Sequence, residues 1–183
     1  PKPVGQGLND LYVRFFRMAE RHITRPKEGK QAQGVVAFIS NYSWLDGLSH
    51  TGMREHYLQA FDRITVDNLN GDRFRTGKLT PEGKPDPSIF STQFNREGIQ
   101  VGTAIATMVR KVREPNHDQT ASVQYRELWG AGKLQQLLLE STDPSTATYQ
   151  GISPDLRLGA PFRPVVSAED YLSWPTLPEL FPV

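Results

Sequence analysis

The sequence contains no cysteine, which excludes a disulfide framework, a thiol nucleophile, a zinc ribbon and an iron–sulfur site together. A chain without thiols is indifferent to redox state. A reducing cytoplasm fits it and is the expected location. No apolar run approaches the roughly 20 residues that a membrane helix needs, so no membrane partner is expected. Residues 1–10 show no charged-then-apolar leader pattern. Charge of either sign is not in excess: 21 Lys and Arg face 20 Asp and Glu, for a net charge of +1. Any polyanion site therefore has to be local. The four histidines, His22, His50, His56 and His117, lack metal-ligand spacing, and no metal is expected. Gly5-Gln6-Gly7 lacks both the third glycine and the preceding strand of a dinucleotide fingerprint. A phosphate-binding P-loop and a Gly-x-Ser-x-Gly elbow are missing too, and no pair of carboxylates stands out.

What is there reads as one ordinary globular domain with an appendage: 183 residues, 37% hydrophobic and 22% charged. Leu8, Leu11, Tyr12, Phe15, Ala19, His22 and Ile23 recur at helical spacing, with Asn9 and Asp10 as candidate caps. Arg14, Arg17 and Arg21 recur on another face and read as a solvated helix surface. Residues 26–30 break the pattern. Val35, Val36, Ala37, Phe38 and Ile39 form a continuous apolar run, which predicts a central strand covered on both faces. A second helix is expected over 49–61, on Met53, Tyr57, Leu58 and Phe61, and a second strand over 63–69. Helix, strand, helix, strand is the grammar of an α/β fold. Residues 70–98 turn polar and rich in Gly and Pro, a loop long enough to suggest function. Strands are expected over 99–111 and 121–128, and a short helix at Leu134, Leu137 and Leu138. Beyond Asp143 lie seven of the 14 prolines. That segment reads as an extended arm anchored by Tyr171, Trp174 and Phe181.

Two stretches could carry chemistry. Asn41, Tyr42, Ser43, Trp44 and Leu45 follow the apolar strand, where α/β sheets collect ligands. The same residues suit a turn in which Asn41 and Ser43 cap backbone groups while Trp44 closes the core. In the 68–98 loop, Arg73, Arg75, Lys78 and Lys84 alternate with Phe74, Phe90 and Phe94. Cations for phosphates and rings for bases suit an extruded or single-stranded nucleotide. On these residues alone a solvated loop with anchoring aromatics is the preferred reading.

Longer strings are more specific. Leu11-Tyr12-Val13-Arg14-Phe15-Phe16-Arg17 and the run from Gly34 through Ser40-Asn41-Tyr42-Ser43-Trp44-Leu45-Asp46-Gly47 resemble the methyltransferase region of Type ISP restriction–modification enzymes. So do Leu69-Asn70-Gly71-Asp72, Pro87-Ser88-Ile89-Phe90-Ser91-Thr92 and Gly98-Ile99-Gln100-Val101-Gly102-Thr103-Ala104-Ile105. The match continues through Tyr125-Arg126-Glu127-Leu128-Trp129-Gly130 to Leu177-Pro178-Glu179-Leu180-Phe181-Pro182.

The resemblance implies the second half of an adenine-N6 DNA methyltransferase domain. Its fold would be a partial Rossmann-like α/β sheet of the class I methyltransferase type, with helices on both faces and a Pro-rich C-terminal arm. Residues 1–113 would belong to the methyltransferase domain and 114–143 would add a strand and a helix. Residues 144–183 would lead towards a target-recognition domain. The strand at 35–39 would neighbour the strand bearing the catalytic Asn-Pro-Pro-Tyr motif, and those at 63–69 and 99–111 would form the terminal antiparallel pair. This chain has neither that motif nor the glycine-rich segment for S-adenosylmethionine, so the cofactor would be held mainly elsewhere in the parent enzyme. The fragment alone is then expected to be inactive. The resemblance implies partnership with double-stranded DNA and with nuclease, helicase-like ATPase and target-recognition domains. Phe90, Phe94, Asn41, Ser43 and Trp44 would line the target-base pocket, and Arg73, Arg75 and Lys78 would contact DNA. The alternative is a catalytically silent DNA-binding or interaction module on an inherited scaffold.

Overall fold

A computed structural model describes residues 10–25, 32–112, 120–168 and 170–181. Leu8, Asn9, the break at 26–30, His117 and Pro182 lie outside the described residues. Helix α1 spans Leu11–Thr24, β1 Gly34–Asn41, α2 Thr51–Ala60, β2 Arg63–Asn70 and β3 Thr103–Arg110. They are followed by β4 at Ser122–Glu127, α3 at Lys133–Thr142, β5 at Gln150–Ile152 and a single turn, α4, at Leu177–Leu180. The result is a mixed α/β fold with an open five-stranded sheet in the order β1-β3-β2-β4-β5. Among the described residues no helix is long and apolar enough to cross a membrane.

The strand at 35–39 is not central. Among the described residues β1 lies at the sheet edge and pairs only with β3, antiparallel and in register from Gly34↔Arg110 to Asn41↔Thr103. Val36 and Phe38 face the core, whereas Val35 is 59% and Ile39 47% exposed on the opposite face. An unbroken apolar run records hydrophobicity on both pleats. It does not record whether this chain supplies a cover for each.

α1 keeps Tyr12, Ala19 and Ile23 of the expected stripe but buries Phe16 in place of Phe15 and leaves His22 exposed. Tyr12, Phe16, Ala19 and Ile23 pack inward while Leu11 and Phe15 are exposed. Phe15 and Phe16 are adjacent aromatics about 100° apart on the helix, and packing selects between them. The Phe16 ring centroid lies 4.9 Å from that of Phe38 and 5.2 Å from that of Trp44. Glu20 shares the buried face because Arg17, His56 and the Thr24 hydroxyl all satisfy its carboxylate. α2 packs against the same core through Tyr57 and Leu58. α3 is tied to the opposite face, where Arg126 reaches Glu140 at 2.6 Å. Its leucines Leu134, Leu138 and Leu139 are exposed, and Lys133 turns inward instead.

β2 and β3 form the expected antiparallel pair, but the pair is not terminal, because β4 joins β2 in parallel and β5 joins β4 antiparallel. β3 starts later than expected. Just ahead of it the Gly102 backbone passes so close to the Tyr42 ring that a Cβ there would sit 2.4 Å from it. The arm after Asp143 is anchored by residues other than those expected. Tyr171, Trp174 and Phe181 are exposed, while Ala160 and Phe162 are sealed in the core and Ile152 packs against it.

Candidate functional site

β1 and β2 both run antiparallel to β3, and β4 runs parallel to β2, so β1, β2 and β4 share one direction. Their carboxyl ends therefore emerge together, where an α/β sheet offers its ligand crevice. Asn41 to Asp46 leave β1 there, Asn70-Gly71-Asp72 leave β2, and Glu127 to Gly130 leave β4. The 71–102 excursion closes back over this end, with the Arg73 amide donating to Gln100 O at 2.8 Å and the Tyr42 amide to Gly102 O at 3.0 Å.

The turn out of β2 is sharp. Asn70 and Gly71 both have left-handed backbones, with φ of 50° and 72°. A side chain at Gly71 would also meet the Ser88 backbone at 2.9 Å. This geometry aims the Asp72 carboxylate inward, where it accepts from the amides of Phe74 at 2.6 Å, Arg75 at 2.7 Å and Gly102 at 2.8 Å. The Tyr42 hydroxyl is a fourth donor. Burial works to raise the Asp72 carboxyl, but these four donors outweigh it and hold it below the ordinary carboxylate range. Burial and the nearby Asp72 charge push the Tyr42 phenol upward.

Beside them Asp46 takes the Arg75 guanidinium in two bonds, 2.9 and 3.3 Å, and Arg163 at 3.4 Å. The Arg75 guanidinium also lies 5.2 Å above the Tyr42 ring. Across the end of β4, the Glu127 carboxylate accepts from the Tyr125 hydroxyl and from the Trp129 indole at 3.1 Å. Asn68 donates to the Tyr125 hydroxyl at 2.9 Å, and Asn70 to Leu128 O at 3.2 Å. Each carboxylate on this rim is thus engaged by the chain's own donors.

The candidate residues separate into two groups. Trp44 is fully enclosed, ringed by Phe16, Tyr57 and Phe162, with its indole donating to Ser40 Oγ at 3.3 Å. Its ring has no face left for a base. Asn41 Oδ1 accepts the Ser43 amide at 2.8 Å and the Ser43 hydroxyl at 2.6 Å, which caps the Tyr42–Leu45 turn. In the loop, Phe94 is 92% exposed and Phe90 40%. Arg73 lies 3.6 Å from Glu97, and Lys78 bonds both the backbone carbonyl and the carboxylate of Glu97. Arg73, Arg75 and Lys78 are therefore paired, with Glu97 and Asp46 as their partners. Sequence reasoning missed Asp46, Asp72, Tyr42 as an aromatic platform, Glu127 and Arg163. The Asn70-Gly71 pair, a turn signature, is the sequence signal that could have pointed to Asp72.

An open mixed α/β sheet with a polar, loop-covered carboxyl end defines the class of this domain. By sequence the chain matches no protein family model and no curated protein. Its fold is shared with the ATP-dependent Type ISP restriction–modification enzyme LlaBIII bound to DNA, at a TM-score of 0.65 and 23% identity over 93% of this chain. It is shared as well with a nuclease-deletion mutant of the Type ISP restriction–modification enzyme LlaGI in complex with a DNA substrate mimic, at 0.64 and 21% over 92%. The cryo-EM structure of a DrdV–DNA complex matches at 0.61 and 21% over 86%. At these identities the likeness is one of fold. The chain spans 11% of the LlaBIII chain and 14% of each of the others.

Proposed function

We propose that this chain is the second half of the methyltransferase domain of a Type ISP restriction–modification enzyme, a DNA adenine-N6 methyltransferase, where it supplies wall and DNA contacts for the target base. The observation that carries this reading is the strand order β1-β3-β2. There an antiparallel β3 lies between two co-directional strands, beneath a long loop bearing exposed rings and cations. Among the described residues the outer edge of β1 is unpaired, which supports a further strand beside it in the parent sheet, and the exposed Val35 and Ile39 support a cover over that face.

The described residues do not fit S-adenosylmethionine. Asp46, Asp72 and Glu127 are each taken by internal donors, so none stands ready for a ribose diol. The cofactor belongs to other segments of the parent. In this reading the chain's own residues bind and orient. Phe94 and Phe90 offer faces to a flipped base, and the rim network fixes the loop that carries them. Arg73, Arg75 and Lys78 meet phosphates by exchanging Glu97 and Asp46 for the nucleic acid.

The test is methylation by the enzyme containing this chain. Phe94→Ala or Phe90→Ala should slow methyl transfer about five- to hundred-fold, the worth of one stacked ring, with cofactor affinity nearly unchanged. Wild-type rates in both variants would make the loop a solvated connector and favour the silent interaction module.

A further inference from the structure

α1 carries a ladder of arginines that the site at the sheet end does not use. Arg14, Arg17, Arg21 and Arg25 are exposed and line one shallow groove with Val13 and Met18. Arg17 is committed inward, to Glu20 and to His56 Nε2 at 2.7 Å. Arg14, Arg21 and Arg25 have no carboxylate within ion-pair distance among the described residues. Elsewhere five arginines have carboxylate partners, Arg73 with Glu97, Arg75 and Arg163 with Asp46, Arg126 with Asp67 and Glu140, and Arg157 with Asp155, while Arg63 and Arg96 stand singly rather than in a row. In a protein of net charge +1, three unmatched guanidinium groups on one side of one helix are a local excess. Like charges on successive turns repel; the carboxyl end of α1 offsets Arg21 and Arg25 in part, but no described carboxylate pairs with any of the three.

We infer that the Arg14–Arg21–Arg25 side of α1 binds the phosphate backbone of duplex DNA, outside the target-base pocket. The inference rests on the DNA reading above. Eleven residues at the helical rise cover about 16 Å, the axial length of about five phosphates on one strand. The guanidinium is a planar, permanently charged fork that matches a phosphate in two bonds. Position supports the same partner. The Tyr12 hydroxyl at the start of α1 lies 3.4 Å from His50 Nε2, just past the carboxyl end of β1, whereas Ile23 packs on Gly34 at its beginning. The ladder thus starts at the rim of the candidate site and leads away from it. A duplex that delivers one base to the rim continues along the ladder.

The test is the salt dependence of binding of the full-length enzyme to duplex DNA lacking its recognition site. Replacing the three arginines together by alanine should lower the slope of log affinity against log salt by about 2.7, which is 0.9 for each phosphate released. Between about 50 and 200 mM salt the wild type should then lose about 40-fold more affinity than the variant. The triple Arg→Lys protein, which keeps the charge, should keep the slope. A wild-type slope in the alanine variant overturns the ladder. If that variant also unfolds at lower denaturant, the face belongs to a protein neighbour. Should the wild type not bind DNA at all, the functional reading fails first; wild-type methylation with an unchanged slope sinks the ladder alone.

Discussion

The Lys133 ammonium lies 2.7 Å from the Asp86 carboxylate, and the two side chains are 2% and 0% exposed. The same carboxylate accepts the amides of Gly71 and Gly130, each at 2.7 Å. One buried anion therefore joins the turn out of β2, the turn out of β4 and the first residue of α3. Burial pushes the Lys133 ammonium down and Asp86 opposes that push. A buried pair of this kind adds little against a well-packed apolar substitute, but loss of one partner strands the other.

Lys133→Met should accordingly cost about 3–5 kcal/mol, because Asp86 keeps its charge without its cation. Adding Asp86→Asn should recover part of that loss, since the amide oxygen still accepts from a backbone N–H and carries no charge. Urea unfolding midpoints of the two single variants and the double variant measure the coupling. Additive losses would mean that the pair is not the unit.

Asp72 sets an acid limit on the fold. Its carboxyl is held below the ordinary value of about 3.9, so the unfolded chain takes up the proton first as pH falls. Its contribution is complete above about pH 4 and is lost as pH drops through the lowered folded-state value. Asp72→Asn should remove about 1.5–3 kcal/mol near neutrality, the worth of bonds to a charged acceptor, and should flatten the acid limb of stability. Unfolding free energy measured between about pH 2 and 6 tests both effects. A variant with the wild-type acid slope would assign that limb to other carboxylates.

Much of the fold was legible because periodicity and turn chemistry agree with it. The strand at 63–69 and the helix at 49–61 fall within a few residues of β2 and α2, and the α/β alternation follows from them. The failures have local causes. β1 carries apolar residues on both pleats, and such a run reads the same at an edge as in a centre. Glu20 and Lys133 face inward against the hydrophobic rule because each finds partners there, Glu20 in Arg17 and His56 reaching in from the surface and Lys133 in the buried Asp86, which no apolar count registers. Asp46, Glu127 and Arg163 became site residues only when three strand ends and a distant arm converged. Sequence spacing carries no trace of that meeting.

Arg54 shows how the arm is held. Its buried guanidinium donates to Trp44 O at 2.6 Å, Gly47 O at 2.9 Å, Ala160 O at 2.9 Å and Gly159 O at 2.7 Å. Burial lowers its pKa to about 10, partly offset by the Asp46 charge, so the group stays cationic at neutral pH. Arg54→Met should leave those carbonyls without donors and release the segment around 159–162 from the turn after β1. The expected result is faster proteolysis within 150–165 and a loss of about 3 kcal/mol or more. Cleavage at the wild-type rate would show that Phe162 alone holds the arm.

Trp44 and Phe94 were expected to line one pocket, and the structure gives them opposite surroundings. The Trp44 ring packs against three aromatic side chains with no surface in water, whereas Phe94 stands almost wholly in solvent. Removing the indole leaves a cavity that the neighbouring rings cannot fill, so Trp44→Ala should cost about 3–5 kcal/mol. Phe94 excludes little water in the folded chain, and Phe94→Ala should stay within about 0.5 kcal/mol of wild type. Urea denaturation of the two variants side by side reads the contrast. Of these two rings, Phe94 is the one that can be substituted to probe base stacking without disturbing the fold. A Phe94→Ala loss as large as that of Trp44→Ala would place the ring in the core and remove it from the base-stacking role.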